Sequence, residues 1–337
     1  MKITDFEIEL KKGKAFTLLQ ITDMQIIDAA QRRYPERLSE GEQRIWATDR
    51  TEACFYGELR ALVERVKPDL ILVTGDIVYG SFDDSGERLN EFLQKMGELE
   101  IPWAPVFGNH DNETALGVFE TCRRYEAAKN CLFRRGGLTG NSNYTVGLTE
   151  EGRLCRLLYM MDSNGCGGAT DPDVKRERGF GADQIRWVKE TAAAAREATG
   201  REVPGFAAFH IPTADFCDVL VVGGYHKEED LGELGNFEIG ADVPASHRGD
   251  FGYKSEALPR SSCLPAMREV WKEAGVDGVF VGHCHRISTS LERDGIRYTF
   301  GVKTGLYDYH HKTGGTVITL DGEDRKRFTV RHDYTVR

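Results

Sequence analysis

No stretch of the 337 residues approaches the roughly 18 consecutive apolar side chains of a membrane-spanning helix, so neither a transmembrane segment nor a membrane partner is expected. The opening MKITDFEIELKKGK mixes acids and bases and has no apolar h-region. No signal peptide is read there, and a cytoplasmic location is expected. The eight cysteines include no C-x-x-C pair. A chain of this length buries enough core to dispense with disulfides, so free thiols in a reducing compartment are expected. A surplus of basic residues is missing too: the net charge is -10, the wrong sign for binding duplex nucleic acid. Neither an internal repeat nor a low-complexity tract interrupts the chain.

What is present is a succession of short apolar runs closed by turn signals: AFTLLQITD, PDLILVTGD, PWAPVFGNHD, RLLYMMDS, EVPGFAAFHIP and VDGVFVGHCH. IRYTFGV, GTVITLDG and RFTVRHDY follow as further short strands. Helical periodicity occupies 49–66, 86–98 and 183–198. Strands alternating with helices predict parallel βαβ units early in the chain, with hairpin-like strands toward its C-terminus. The reading is one domain over 1–337. Residues 217–262, rich in Gly, Asp, Glu and His with weak periodicity, form a long insertion expected to lie over the functional site. His226, His247 and Arg248 are its candidate substrate contacts.

The strands end in a particular set of side chains: Asp23, Asp76, Asn109 with His110 and Asp111, His210, and His283 with His285. Ligands of open α/β sheets bind beyond the carboxyl ends of strands, so residues distant in sequence can converge on one edge. Carboxylate, amide and imidazole together suit zinc, manganese or iron better than calcium. On an extended chain, i and i+2 point to the same side, so His283 and His285 can serve two neighbouring ions. Glycines at 75, 108 and 282 each precede a ligand candidate, where close backbone approach is needed. Any one of these residues has a structural explanation, but five such strand ends in succession do not.

The ordered motifs TD-x-Q, GDIVYG, GNHD, FHIP and VGHCH resemble the calcineurin-like metallophosphoesterase superfamily, over roughly 15–310. FHIP, GNFE and KTGLYDY look closest to its purple-acid-phosphatase-like branch. The resemblance implies an α/β fold, a four-layer α/β/β/α sandwich of mixed sheets with two metals at its edge. One ion would take Asp23, Asp76 and His285; the other would take Asp76, Asn109, His210 and His283, with Asp76 bridging. It also implies hydrolysis of phosphomonoesters or small phosphodiesters by a metal-bound hydroxide. His110 would serve as acid to the leaving group. Asp111 either orients that imidazole or caps the helix that follows.

The chain departs from the superfamily pattern at Gln25, where a histidine is usual. Tyr79 in GDIVY resembles the tyrosinate of purple acid phosphatases, whose phenolate calls for a strong Lewis acid. Either Gln25 or Tyr79 is thus a candidate ligand of the first ion, and iron paired with zinc or manganese is the expected metal content. The rival reading is a non-catalytic scaffold that keeps the fold and has lost turnover. A nuclease of the same superfamily is disfavoured by the acidic balance and the absence of a basic, aromatic-lined groove.

Overall fold

Side-chain alternation along the middle strands decides the layering. The computed structural model describes residues 2–32, 36, 38–47, 49–165, 179–222, 265–285, 287–305 and 313–335. In chain order its elements begin with β1 (Phe6–Glu9), β2 (Phe16–Ile21), α1 (Glu40–Ile45), a π-helical turn (Glu52–Tyr56) running into α2 (Gly57–Val66), and β3 (Leu70–Val73). They continue through α3 (Glu87–Glu98), β4 (Trp103–Pro105), α4 (Val118–Ala127), β5 (Tyr144–Glu150), β6 (Arg153–Met160), α5 (Ala182–Thr199) and β7 (Gly205–Ala208). The remainder is α6 (Ala214–Val222), α7 (Arg268–Glu273), β8 (Val276–Val281), β9 (Ser290–Arg293), β10 (Ile296–Phe300), β11 (Gly314–Leu320) and β12 (Phe328–Tyr334).

Two mixed sheets result. The smaller runs β12-β11-β2-β3-β4, with β2, β3 and β4 parallel; the larger runs β1-β5-β6-β7-β8-β10-β9, parallel from β6 through β10. Leu158, Met160, Phe206, Ala208 and Phe280 of the larger sheet pack toward the smaller one, in one core with Leu18, Ile21 and Leu72. Their neighbours Leu157, Tyr159, Ala207, Val279 and Val281 pack the other way, with Val188 of α5, Phe216 of α6 and Trp271 of α7. This is the period-two alternation of a strand covered on both faces. On the far side of the smaller sheet, Leu59 and Leu62 of α2 and Phe92 and Met96 of α3 close the same core. The order of layers is helix, sheet, sheet, helix, as the family resemblance implies.

The early strands are parallel and the last ones form hairpins, in line with the sequence pattern. The β9–β10 hairpin turns on Asp294 and Gly295, both at positive φ (55° and 76°), which matches the preference of two-residue hairpins for Asp-Gly. Three strands escape periodicity. β1 alternates half-exposed and exposed residues at a sheet edge, β9 has four residues with one aliphatic side chain, and β5 carries Gly147. The proposed insertion also begins later than 217, because Cys217 to Val222 complete α6; the rest of 217–262 lies outside the described residues. Among the described residues, no helix is long and apolar enough to cross a membrane.

Candidate metal centre

The smaller sheet supplies oxygen donors and the larger sheet supplies imidazoles. Parallel strands β2, β3 and β4 run out into Asp23, Asp76 and Asn109; β7 and β8 run out into His210 and into His283 and His285. The two sets meet where the strand ends face each other. Ligand atoms of Asp23, Asp76 and His210 lie within 4.8 Å of one another, and all three residues are buried. His210 Nε2 is 3.2 Å from Asp76 Oδ2 and 3.9 Å from Asp23 Oδ1. The amide oxygen of Asn109 lies 3.1 Å from His210 Nε2 and 2.9 Å from His283 Nδ1. His285 Nε2 is 3.3 Å from Asp23 Oδ1.

Holding these groups together strains the backbone. Asp23, Gln25, Asp76 and His283 all have positive φ, between 47° and 70°. A non-glycine residue in the left-handed region costs about 1–2 kcal/mol, so the surroundings must enforce each turn. Asp23 is held from several sides: its carboxylate accepts from Thr22 Oγ1 (2.7 Å) and His283 N (2.9 Å), and its carbonyl accepts from the Lys303 ammonium. Two glycines keep the approach open. A Cβ on Gly108 would stand 2.1 Å from Asp76 Oδ1, and one on Gly282 would stand 2.6 Å from Asp23 Oδ2.

The electrostatics are those of opposite charges forced out of water. Burial opposes ionisation of Asp23, yet His210 and His285 beside it hold its carboxyl down to about 2. Asp76 is likewise lowered against burial, by His210 and His110. In return, and also against burial, Asp76 and Asp23 push His210 up to about 10. His283, desolvated and next to His210, falls to about 4. Its partner ring His210 therefore carries a proton when no cation is bound, and a cation taken at Nε2 would replace that proton. The buried imidazole is fixed by Nδ1, which donates to the Thr74 carbonyl at 2.8 Å and leaves Nε2 toward the carboxylates. Two carboxylates, imidazoles and an amide oxygen so placed fit a pair of transition-metal ions.

His110 stands beside this cluster: its backbone N–H donates to Asp76 Oδ1 at 2.8 Å, and its ring stacks on Tyr79, centroids 3.9 Å apart. The orienting role given to Asp111 is corrected. Both Asp111 oxygens are occupied by backbone N–H groups, of Asp76 (2.8 Å), Ile77 (3.0 Å), Val78 (3.4 Å) and Gly108 (2.8 Å). Burial and the Asp76 charge push its pKa up to about 7 against those four donors. Nor does Asp111 cap the next helix, which starts only at Val118. The carboxylate on His110 Nδ1 is that of Glu113, at 2.8 Å. Gln25 is buried, with Nε2 donating to Asp76 Oδ2 at a long 3.4 Å.

Two residues of the centre escaped the sequence reading. Glu113 is three positions beyond His110, a spacing that faces it only once the chain turns there, as the Glu113 N–H to His110 carbonyl bond shows it does. Lys303, the first residue of KTGLYDY, follows the end of β10; it is fully buried, and desolvation lowers it to about 8 against the pull of Asp23 and Asp76. His226, His247 and Arg248 lie outside the described residues.

Comparison with known proteins adds a family to this geometry. The model of the calcineurin-like phosphoesterase family matches residues 16–286. Probable inactive purple acid phosphatase 29 of Arabidopsis thaliana is 24% identical over 315 residues, covering 88% of this chain and 72% of that relative. Probable inactive purple acid phosphatase 28 of the same plant is 46% identical over 63 residues, 18% of this chain, and the chain spans only 16% of that relative's length. Among solved structures, a dimetal phosphatase from Danio rerio superposes with a TM-score of 0.53 at 12% identity, covering 96% of this chain and 99% of that one, a likeness of fold.

Proposed function

Since the chain belongs to the calcineurin-like phosphoesterase family, and within it resembles purple acid phosphatases, we propose that it hydrolyses phosphomonoesters or small phosphodiesters with two bound metal ions. The observation that carries this reading is the meeting of Asp23, Asp76 and His210, from strands of two different sheets, with ligand atoms within 4.8 Å of one another. Asp23, Asp76 and His285 would hold one ion, and Asp76, Asn109, His210 and His283 the other. When bound, the metals supply Lewis acidity that activates water and offsets phosphoryl charge. His110, beside Asp76 and outside both sets, would pass a proton to the leaving oxygen. Asp111 acts at a distance, by fixing the loop that presents Asp76. A reducing compartment such as the cytoplasm is the location we propose, and among the described residues Cys122, Cys131 and Cys155 form no disulfide.

A second reading has support of its own. The two plant relatives are named inactive, and Gln25 replaces the usual histidine, so a metal-holding scaffold without turnover is the alternative. Reconstituting the protein with iron and zinc or manganese, then offering 4-nitrophenyl phosphate and its bis-ester, separates the two. Turnover proportional to bound metal supports the enzyme; full metal occupancy with no turnover on either ester supports the scaffold.

We read Tyr79 as the replacement ligand of a rebuilt first position. It lies in the loop after β3 that carries Asp76, with its ring against His110. A phenolate there would add negative charge and favour a trivalent ion. The iron-loaded protein should then show a visible charge-transfer band, which Tyr79→Phe removes. A colourless iron-loaded wild type would assign the position to Gln25 instead, whose amide turned over would present its oxygen, and a band surviving Tyr79→Phe would remove Tyr79 as its source.

A further inference from the structure

The His110 ring is held at more points than a hydrolytic acid needs merely to be present. Glu113 Oε2 lies 2.8 Å from Nδ1, and Tyr79 covers one ring face at 3.9 Å between centroids and 25° between planes. The main chain is held too: His110 N–H donates to Asp76, and the His110 carbonyl accepts from Glu113 N–H. Gly80, the residue after Tyr79, lies so close that a Cβ would stand 2.4 Å from the His110 carbonyl oxygen and 2.7 Å from Thr114 N. The carboxylate is itself buried, 3% exposed, while the imidazole keeps 15%. Of the two ring nitrogens only Nε2 has no hydrogen-bond partner among the described residues.

We propose that Glu113 is the positioning residue of His110: it accepts the Nδ1–H hydrogen bond, so that Nε2 is the nitrogen presented to substrate, and it suits the site to alkyl rather than aryl phosphomonoesters. The chemistry connects the two parts. As water adds to phosphorus, the ester P–O bond breaks and its electron pair goes to the departing oxygen. An alkoxide is a poor leaving group and needs a proton from Nε2 as that bond breaks. A nitrophenolate leaves as a stabilised anion and needs little help. The Nδ1–H to carboxylate bond stabilises the charge that an imidazole carries before it gives up its Nε2 proton, and it fixes the tautomer and the ring plane. The sequence offered Asp111 for this task or as a helix cap, but that carboxylate is spent on four backbone N–H groups.

The substrate-class part rests on the phosphoesterase reading, so the test has one arm that does not. In the zinc-reconstituted protein labelled with ¹⁵N-histidine, the His110 resonances, assigned with His110→Gln, should show a proton on Nδ1 protected from solvent exchange. Glu113→Gln should lose that protection, and Glu113→Asp should keep part of it. In kinetics, Glu113→Gln should lower kcat on phosphoserine by about 10- to 100-fold with KM unchanged, and on 4-nitrophenyl phosphate by no more than about 3-fold, Glu113→Asp regaining part of the loss. A bare Nδ1 in the wild type overturns the positioning role. Equal losses on the two esters overturn the substrate class and mark Glu113 as merely structural. A wild type that turns over neither ester sinks the phosphoesterase reading while the Nδ1 proton still decides the role of Glu113.

Discussion

Asp76→Asn should strip both ions from the protein and lower hydrolysis on the order of 10³- to 10⁴-fold, the several kcal/mol that metal ions contribute to such transition states. Asp76 is the one carboxylate assigned to both positions, and its surroundings show what it balances. His210 Nε2 lies 3.2 Å from one of its oxygens and the His110 N–H 2.8 Å from the other. The amide keeps the shape and removes the charge, so the loss would be one of charge and not of packing. Metal content by mass spectrometry alongside kcat/KM checks it. Retention of both ions with unchanged kinetics would show that Asp76 is only a structural carboxylate paired with His210.

His110→Ala should act in the opposite manner, lowering kcat by about 10² to 10⁴ while both ions stay. The distinction follows from the attachment points. What His110 gives Asp76 is its backbone N–H, which alanine retains. Its ring touches Tyr79 and Glu113 and is assigned to neither ion. Metal content of the variant separates the possibilities: loss of an ion in step with activity would make the imidazole a ligand and remove it from the role of acid.

Much of the fold was legible because parallel strands buried on both faces are nearly pure apolar runs, as in Leu70–Val73, and because each ends in a turn that breaks the run. The site was legible for the same reason: Asp23, Asp76, Asn109, His210 and His283 stand two to four residues past strand ends. The edge strand β1 was hidden, since it has one face half-exposed and the other exposed, with no apolar run. Inside the centre, what stayed hidden was partnership. Asp111 sits next to His110 in sequence, yet its carboxylate reaches back to amides 33 to 35 residues earlier. Glu113 carries no signal of its own in the sequence and is buried against the imidazole. Lys303 lies beyond an ordinary strand end in sequence, and only the folded chain brings its buried ammonium onto the Asp23 carbonyl.

The central claim is that two sheets join their strand ends to hold two ions, and anomalous diffraction from crystals of the manganese- or zinc-loaded protein tests it most directly. Two peaks roughly 3.5–4 Å apart are expected. One should lie among Asp23, Asp76 and His285, the other among Asp76, Asn109, His210 and His283. A single peak, or two peaks that leave His210 and His283 out of contact with metal, would contradict it.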